Sequence, residues 1–217
     1  KYAYEFPPVR VSEGPQGPRF KYHLPVTRTM TDEASNEEYG VILDVLPHGR
    51  SDAEEPQYRR SPVAYAVGEQ TFTLYELTLS EDADIAIDDR IRIRPDFDSG
   101  INRGRQIDYG DLSDGAKSEL EYVVAELVEA EERRFVDFFN EAQPVTLRLH
   151  QLTLLPGIGD KLRDNILEER KRRPFERFDE LSERVSGLND PEQILVDRIL
   201  QELTQAEDLK YRLVVTP

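Results

Sequence analysis

Residues 152–162 read LTLLPGIGDKL, and this stretch decides how the C-terminal part of the chain folds. Apolar residues on either side of it recur at helical spacing, which predicts one helix over residues 146–155 and another over residues 160–172. Pro156 cannot continue the first helix, because proline has no backbone N–H and clashes with the preceding turn. The pattern therefore predicts two helices joined by a tight hairpin.

The hairpin itself has the composition of an anion site. Gly157 and Gly159 can adopt backbone conformations closed to other residues and let a partner's backbone come close. Ile158, between them, is expected to plug the gap between the two helices. The N–H groups of Gly159, Asp160 and Lys161 begin a helix, where unsatisfied donors and the helix dipole favour an anion.

The Leu-Pro-Gly-Ile-Gly hairpin resembles the helix-hairpin-helix motif of DNA and RNA repair, recombination and translation proteins. In that family the hairpin amides hold phosphates without reading bases, so the resemblance implies binding to a nucleic-acid backbone. The alternative is an ordinary αα-hairpin in which glycines allow close helix packing.

A weaker second copy of the pattern follows. Residues 178–185 are predicted to be helical, and residues 186–189 take the place of the hairpin. Asp190 is expected to cap a last helix, with Gln193 reaching back as in a capping box. Residues 209–215 are predicted to add a short strand.

The composition restricts the class of protein. The 217 residues carry a net charge of −16, with 22 Arg but only six Lys, and there is no Cys. Disulfides and Cys-based zinc sites are therefore excluded. No apolar run approaches the ~18 residues of a membrane span, and no signal pattern opens the sequence. We expect a cytoplasmic protein without a membrane partner, and a salt-rich cytoplasm that screens its self-repulsion.

The order of patterns predicts an α+β fold. Short β-branched runs, among them residues 85–87 and 90–94, predict a small closed OB-like β-barrel. A continuous amphipathic helix over residues 113–142 should connect this barrel to a C-terminal all-α tandem helix-hairpin-helix domain. The expected divisions are an extended Pro-rich arm (1–38), the barrel (39–97), a connection with the long helix (98–143) and the helix-hairpin-helix domain (144–217).

Further segments resemble an archaeal family of unassigned function, the domain-of-unknown-function-655 family, over about residues 39–215. They read YGVILD (39–44), PHGR (47–50), LYEL (74–77), SELEY (118–122), RLHQL (148–152), PGIG (156–159) and DLKY (208–211). Membership implies the OB-like barrel, the paired hairpin motifs and an RNA- or DNA-binding role, and it implies no established reaction. The chain departs from the family before Tyr39 and at Asp160, where a basic residue is more usual.

A basic island supports binding to phosphates. Residues 144–174 hold seven bases and four acids, a balance of +3 that leaves −19 for the rest of the chain. Such an island is the electrostatic footprint of a nucleic-acid-binding surface, although a cluster at a helix C-terminus also complements the helix dipole. With the hairpin residues Pro156, Gly157, Ile158 and Gly159, the candidate binding residues are Arg148, Lys161, Arg163, Arg170, Lys171, Arg172 and Arg173.

A second candidate lies in the predicted barrel. Arg90, Arg92 and Arg94 alternate with isoleucines, so the arginines should face solvent while the isoleucines face a core. Arg103 and Arg105 are expected to belong to this ridge, which resembles the exposed face on which such barrels bind single strands. Neighbouring aspartates offer the alternative of a salt-bridged face.

Catalysis has little support in the sequence. The three histidines, His23, His48 and His150, are scattered, and neither a Ser-His-Asp pattern nor a phosphate loop is visible. We therefore expect a nucleic-acid-binding protein that is not an enzyme, with no cofactor and no metal, and we expect its ligand to be RNA before DNA. Ribosomal, translation or transcription machinery are its expected partners. The alternative, favoured by the overall negative charge, is a protein-interaction adaptor that docks a partner on its helical hairpins.

Overall fold

The computed structural model combines a sheet with helices, so the α+β class is confirmed. The predicted arm, residues 1–38, lies outside the described residues except for its last residue, and Arg94 lies outside them as well. The described residues are 38–50, 60–93, 96–206 and 208–215.

Five antiparallel strands form a curled half-barrel sheet. Their order is β4-β1-β2-β3-β5, so β4 and β5 form its two edges within the described residues. The expected closed barrel is therefore replaced by an open sheet. The strands are β1 (Tyr39–Leu46), β2 (Val63–Gly68), β3 (Leu74–Leu79), β4 (Arg90–Arg92) and β5 (Ile101–Ile107).

Both faces of the sheet are apolar. Consecutive residues of the inner strands point to opposite sides, and runs of apolar residues therefore supply apolar side chains to both faces. Val41 and Leu43 of β1 join the core beneath the helices. Ile42 joins a smaller cluster on the other face, together with Ile91 and Ile93. The predicted inward direction of these two isoleucines is confirmed, since they are 3% and 4% exposed.

Two sequence predictions for this region are wrong. Residues 101–107 were assigned to a connection, yet they form the edge strand β5. Its exposed face carries polar side chains, so the apolar alternation that marks a half-buried strand is missing. Residues 85–87 were predicted to be a strand, but they lead into a turn at residues 87–88, where the Asp89 carboxylate accepts the N–H of Ala86 at 2.7 Å.

The predicted continuous helix over residues 113–142 is two consecutive helices. Helix α1 spans Asp114–Ala130 and α2 spans Glu132–Glu141. Glu131 separates them, with φ −107° and ψ 32°, outside the helical range. The hydroxyl of Ser113 begins α1 by accepting the N–H of Ala116 at 3.0 Å.

The predicted helix over residues 146–155 is wrong. Strands β6 (Pro144–Thr146) and β7 (Leu149–His150) form a two-stranded ribbon there, and a single 3-10 turn follows at Gln151–Leu154. Proline and the β-branched residues after it favour an extended chain. The hairpin therefore has only one helical turn on its N-terminal side.

The remaining helices largely match their prediction. They are α3 (Asp160–Arg172), α4 (Phe178–Arg184) and α5 (Pro191–Thr204). Asp190 caps α5 as expected, since its carboxylate accepts the N–H of Gln193 at 3.1 Å. The Gln193 side chain does not reach back; it donates to Asp197 one turn later, at 2.8 Å.

One hydrophobic core joins the sheet to the helices. Helix α1 lies between β1 and α5, and Leu120, Val124 and Val128 fill its buried face. Full burial of one such side chain stabilises the fold by about 1.5–3 kcal/mol. The described residues accordingly belong to one compact unit.

A buried carboxylate fixes the C-terminal tail. Glu202 of α5 is fully buried and accepts the N–H groups of Leu213, Val214 and Val215 at 2.7, 3.0 and 2.9 Å. It also pairs with Arg198, one turn earlier on the same helix, at 2.7 Å. The tail bonds to this side chain instead of forming the predicted strand.

Arg198 links the tail to the hairpin region. Its guanidinium donates to the carbonyl oxygens of Leu154, at 3.1 Å, and Tyr211, at 2.6 Å. Arg198 is 3% exposed, so its charge is compensated inside the protein. We call this arrangement of Arg198, Glu202 and the backbone groups that they bind the tail lock.

Candidate functional site

The glycine loop, residues 156–159, is held from within and open on the outside. Ile158 is 4% exposed and donates its N–H to the carbonyl of Leu155 at 3.2 Å. Its predicted burial is therefore confirmed, although the first of the two helices that it was expected to separate is absent. Gly157 and Gly159 are exposed, and a Cβ atom built on either would meet no atom within 4 Å.

The two glycines differ in what the backbone requires. Gly157 has φ +75°, in the left-handed region that favours glycine. Gly159 has φ −86° and ψ −179°, an extended conformation that any residue adopts. Neither the backbone nor the packing of the described residues thus requires glycine at position 159. Its missing side chain leaves free space directly outside the loop.

That space faces the unfilled N-terminus of α3. Gly159 is the N-cap residue and has no side chain with which to cap the helix. Among the described residues, no oxygen accepts the N–H groups of Gly159, Asp160, Lys161 or Leu162. Such donors, at the positive end of the helix dipole, favour an anion, and only an outside group or water can satisfy them.

The carboxylate beside this site is partly compensated. Asp160 is exposed, but it pairs with Arg163 at 2.6 Å. Arg163 also bonds Asp164 at 2.8 Å, and these carboxylates raise its pKa. The Asp160 carboxylate therefore has an adjacent counter-charge.

The basic island divides into engaged and free side chains. Arg170 donates to the carbonyls of Phe139 and Ala142, both at 3.0 Å, and so caps the C-terminal end of α2. Arg172 pairs with Glu169 at 2.6 Å and Arg173 pairs with Glu180 at 2.8 Å. The exposed cations of the island that have no partner among the described residues are Arg148, Lys161 and Lys171.

His150 lies beneath the basic island as a neutral side chain. It is 7% exposed, and its Nδ1 accepts the N–H of Leu152 at 3.2 Å while its carbonyl accepts the hydroxyl of Thr153 at 2.7 Å. Burial lowers its pKa, and the nearby Arg170 and Arg163 lower it further. It therefore stabilises the 3-10 turn before the glycine loop.

The second hairpin is closed to anions. Gly187 has φ +92°, as its turn requires. The N-terminus of α5 that follows is occupied by the carboxylate of Asp190, which itself adopts φ +46°. Glu192 stands in the first turn, and burial together with neighbouring carboxylates raises its pKa. The two loops therefore share a sequence pattern, but a side chain caps the helix that follows the second loop and none caps the helix that follows the first.

The predicted arginine ridge is divided between the two edges of the sheet. On β4, Arg90 pairs with Glu69 at 2.6 Å and lies 3.6 Å from the ring centre of Tyr39. Arg92 pairs with Asp98 at 3.4 Å. This edge is therefore a salt-bridged face, the alternative that the neighbouring acids indicated.

Arg103 and Arg105 belong to the opposite edge, on β5. Arg105 donates to Glu76 at 2.8 Å, and Arg50 donates to the same carboxylate at 3.0 Å. Burial raises the pKa of Glu76, but the two arginines outweigh it and leave that pKa below its ordinary range. Arg105 thus shares Glu76 with Arg50, which was not part of the predicted ridge, and Arg103 lies two residues away on the same strand.

Sequence reasoning missed the tail lock and the capping role of Arg170. The available signal for the lock was a charged pair, Arg198 and Glu202, four residues apart within the apolar face of α5. Across the described residues, no cluster of His, Asp or Glu has the arrangement of a metal site. No helix in this part of the chain combines the length and apolar character that crossing a membrane requires.

Comparison with known proteins places the chain among archaeal relatives without an assigned activity. The profile of a family described as "Protein of unknown function (DUF655)" matches residues 36–216. The uncharacterized protein MJ0038 of Methanocaldococcus jannaschii is 41% identical over 180 residues, which cover 82% of this chain and 80% of that protein. The crystal structure of Af1531 from Archaeoglobus fulgidus superposes with a TM-score of 0.72 at 40% identity, covering 82% of this chain and 98% of that one.

Proposed function

The chain belongs to the DUF655 family of proteins of unknown function, and we propose that it binds nucleic acid by holding a backbone phosphate at the glycine loop. The observation that carries this proposal is Gly159. Its conformation admits any residue and no described atom approaches its side-chain position, yet the residue is glycine. A ligand that comes close to the backbone gives a reason for the missing side chain.

The chemistry of the loop selects an anion with several acceptor oxygens. The free N–H groups of Gly159, Asp160, Lys161 and Leu162 begin α3. A phosphate can accept several such bonds at once, and bonds to a charged acceptor are shorter and stronger than neutral ones. The exposed ammonium of Lys161 adds a cation beside the same amides. In this proposal, residues 151–172 act as a helix-hairpin-helix motif whose first helix is reduced to a 3-10 turn.

The overall charge favours a short-range mode of binding. A protein with a net charge of −16 repels a polyanion at long range. Affinity from phosphate neutralisation by Lys and Arg also falls steeply as salt rises. Amide hydrogen bonds act at contact and depend less on salt. We infer that the protein is not an enzyme, that RNA is its target before DNA, and that it acts with ribosomal, translation or transcription machinery. The half-barrel, in an OB-like role, supplies a second surface.

The test is a substitution that closes the loop without disturbing the fold. Gly159→Val is compatible with the extended backbone and meets no described atom, so it removes access and adds no strain. Loss of two charge-assisted bonds of about 1.5 kcal/mol each corresponds to an affinity decrease on the order of a hundredfold. The measurement is the Kd for a structured RNA and for a DNA of the same sequence, in molar KCl.

Gly110→Val is the matched control. Gly110 is also exposed, and a Cβ atom there meets nothing within 4 Å, but it lies in the 3-10 turn at Tyr109–Asp111. This variant should bind within about twofold of the wild type. Equal affinities for the Gly159→Val and Gly110→Val variants would refute phosphate binding at the loop. A docking role for the helical hairpins would then be the remaining hypothesis.

A further inference from the structure

The ribbon that precedes the glycine loop has an unusual tip. Thr146 of β6 pairs with Leu149 of β7, so the turn consists of Leu147 and Arg148. Two-residue turns favour Gly, Asn and Asp. Neither Leu147 nor Arg148 has a positive φ. The preference of such turns for residues that tolerate a positive φ therefore does not explain them. The local backbone therefore gives no reason for this pair.

Leu147 is also the most exposed of the large apolar side chains in the described residues. Its relative exposure is 107%, compared with 68% for Tyr122 and 48% for Ile87. Arg148 is exposed beside it and has no partner among the described residues. An apolar side chain and a free cation thus stand together at the end of a projecting ribbon.

The ribbon is joined firmly to the glycine loop. At its base, the N–H of Gln151 donates to the carbonyl of Gln143 at 3.0 Å, and the Gln151 side chain accepts the N–H of Gln143 at 2.6 Å. His150 ends β7 and caps the 3-10 turn that leads into the loop. At about 3.3 Å per strand residue, the tip stands roughly 7 Å beyond His150. Six residues lead from His150 to Pro156, a span of at most about 22 Å, so an RNA of several nucleotides can contact both the loop and the ribbon.

We propose that Leu147 and Arg148 form a wedge that contacts the same RNA whose phosphate the glycine loop holds. This inference rests on the proposed function. Leu147 enters a base step from the wide, shallow minor groove of an RNA helix and partly unstacks it. Arg148 pairs with a flanking phosphate. The preferred ligand is then a base-paired RNA with a step weakened by a neighbouring bulge or helix end, rather than an unstructured strand.

The experiment uses the full chain and a stem-loop RNA with one bulge. 2-Aminopurine, whose fluorescence rises on unstacking, is placed at successive positions near the bulge. Wild type should raise the fluorescence at one step. Leu147→Ser should abolish that rise and weaken binding roughly tenfold, since the contact of a leucine side chain with the bases is lost. Leu147→Met keeps an apolar side chain and should retain both signals.

Two comparisons separate this inference from the proposed function. Because Leu147 is fully exposed, Leu147→Ser should unfold at the wild-type temperature. If Gly159→Val abolishes binding but Leu147→Ser keeps either the wild-type affinity or the fluorescence rise, the wedge is refuted and the phosphate site stands. If wild type binds neither this RNA nor its DNA counterpart, both proposals fail.

Discussion

Replacing Glu202 by Ala should destabilise the whole protein, because this carboxylate completes the tail lock. The side chain is 0% exposed and accepts four hydrogen bonds, one from Arg198 and one each from the backbone of Leu213, Val214 and Val215. The substitution leaves the Arg198 charge and the three amides without their acceptor in the interior.

The expected magnitude follows from that geometry. Removing one partner of a buried ion pair costs about 3–5 kcal/mol, since the other charge stays buried. For a chain of this size each kcal/mol shifts the melting temperature by about 2–4 °C, so the midpoint should fall by roughly 10 °C. Urea titration followed by circular dichroism measures the free energy, and amide hydrogen exchange reports on residues 213–215 directly.

Arg133→Ala is the matched control. Arg133 and Asp137 have the same four-residue spacing and a similar distance, 2.9 Å, but the arginine side chain is 63% exposed. An exposed pair contributes only about 0.3–0.5 kcal/mol. If Glu202→Ala cost no more than Arg133→Ala, or if the amides of residues 213–215 kept their protection, the tail lock would not have the stabilising role assigned to it.

Four further outcomes are expected. The pKa of His150 in the folded protein lies below its ordinary 6.5, so the unfolded chain takes up the proton first as the pH falls. The free energy of unfolding should therefore decrease below pH 6.5. Urea titrations at several pH values should show a weaker pH dependence for His150→Asn. Burial raises the pKa of Glu126, and neighbouring carboxylates raise it further. Glu126→Gln should therefore raise the melting temperature at pH 7, because it removes repulsion of about 0.2–0.5 kcal/mol per pair of like charges. Molar KCl should also raise the melting temperature of the wild type. In molar KCl, the double change of Arg172 and Arg173 to Ala should weaken RNA binding less than Gly159→Val, because both arginines already pair with acids; the reverse order of Kd values would favour a general basic patch.

The parts of the fold that were predictable depend on local signals. Helix α3 follows from apolar spacing after a proline and two glycines, and the cap at Asp190 follows from residue type. Strand β5 was missed because an edge strand with an exposed face lacks apolar alternation. The helix break at Glu131 was missed as well, because no proline or glycine marks it.

The candidate site was predictable to a different extent. The glycine loop could be located from the sequence, and the direction of Ile158 was correct. The bonding partners of the arginines could not be predicted from the sequence. Those of Arg170, for example, lie about thirty residues away in sequence, at Phe139 and Ala142. Such pairings depend on which elements meet in the folded chain. The difference between the uncapped helix start at Gly159 and the capped helix start at Asp190 became evident only from the backbone angles and from the free space at the Gly159 side-chain position.

The open half-barrel has two unpaired edges in the described part of the chain, and exposed edges invite association with other sheets. The two edges are protected in different ways. Strand β4 is only three residues long, which offers few groups for pairing. Strand β5 is longer and carries Arg103 and Arg105, whose charges oppose a second copy of the same edge. Replacing both arginines by threonine would remove the charges from this longer edge. We expect such a chain to form intermolecular β-structure at high concentration. We therefore expect the arginines of β5 to limit association between copies of this edge.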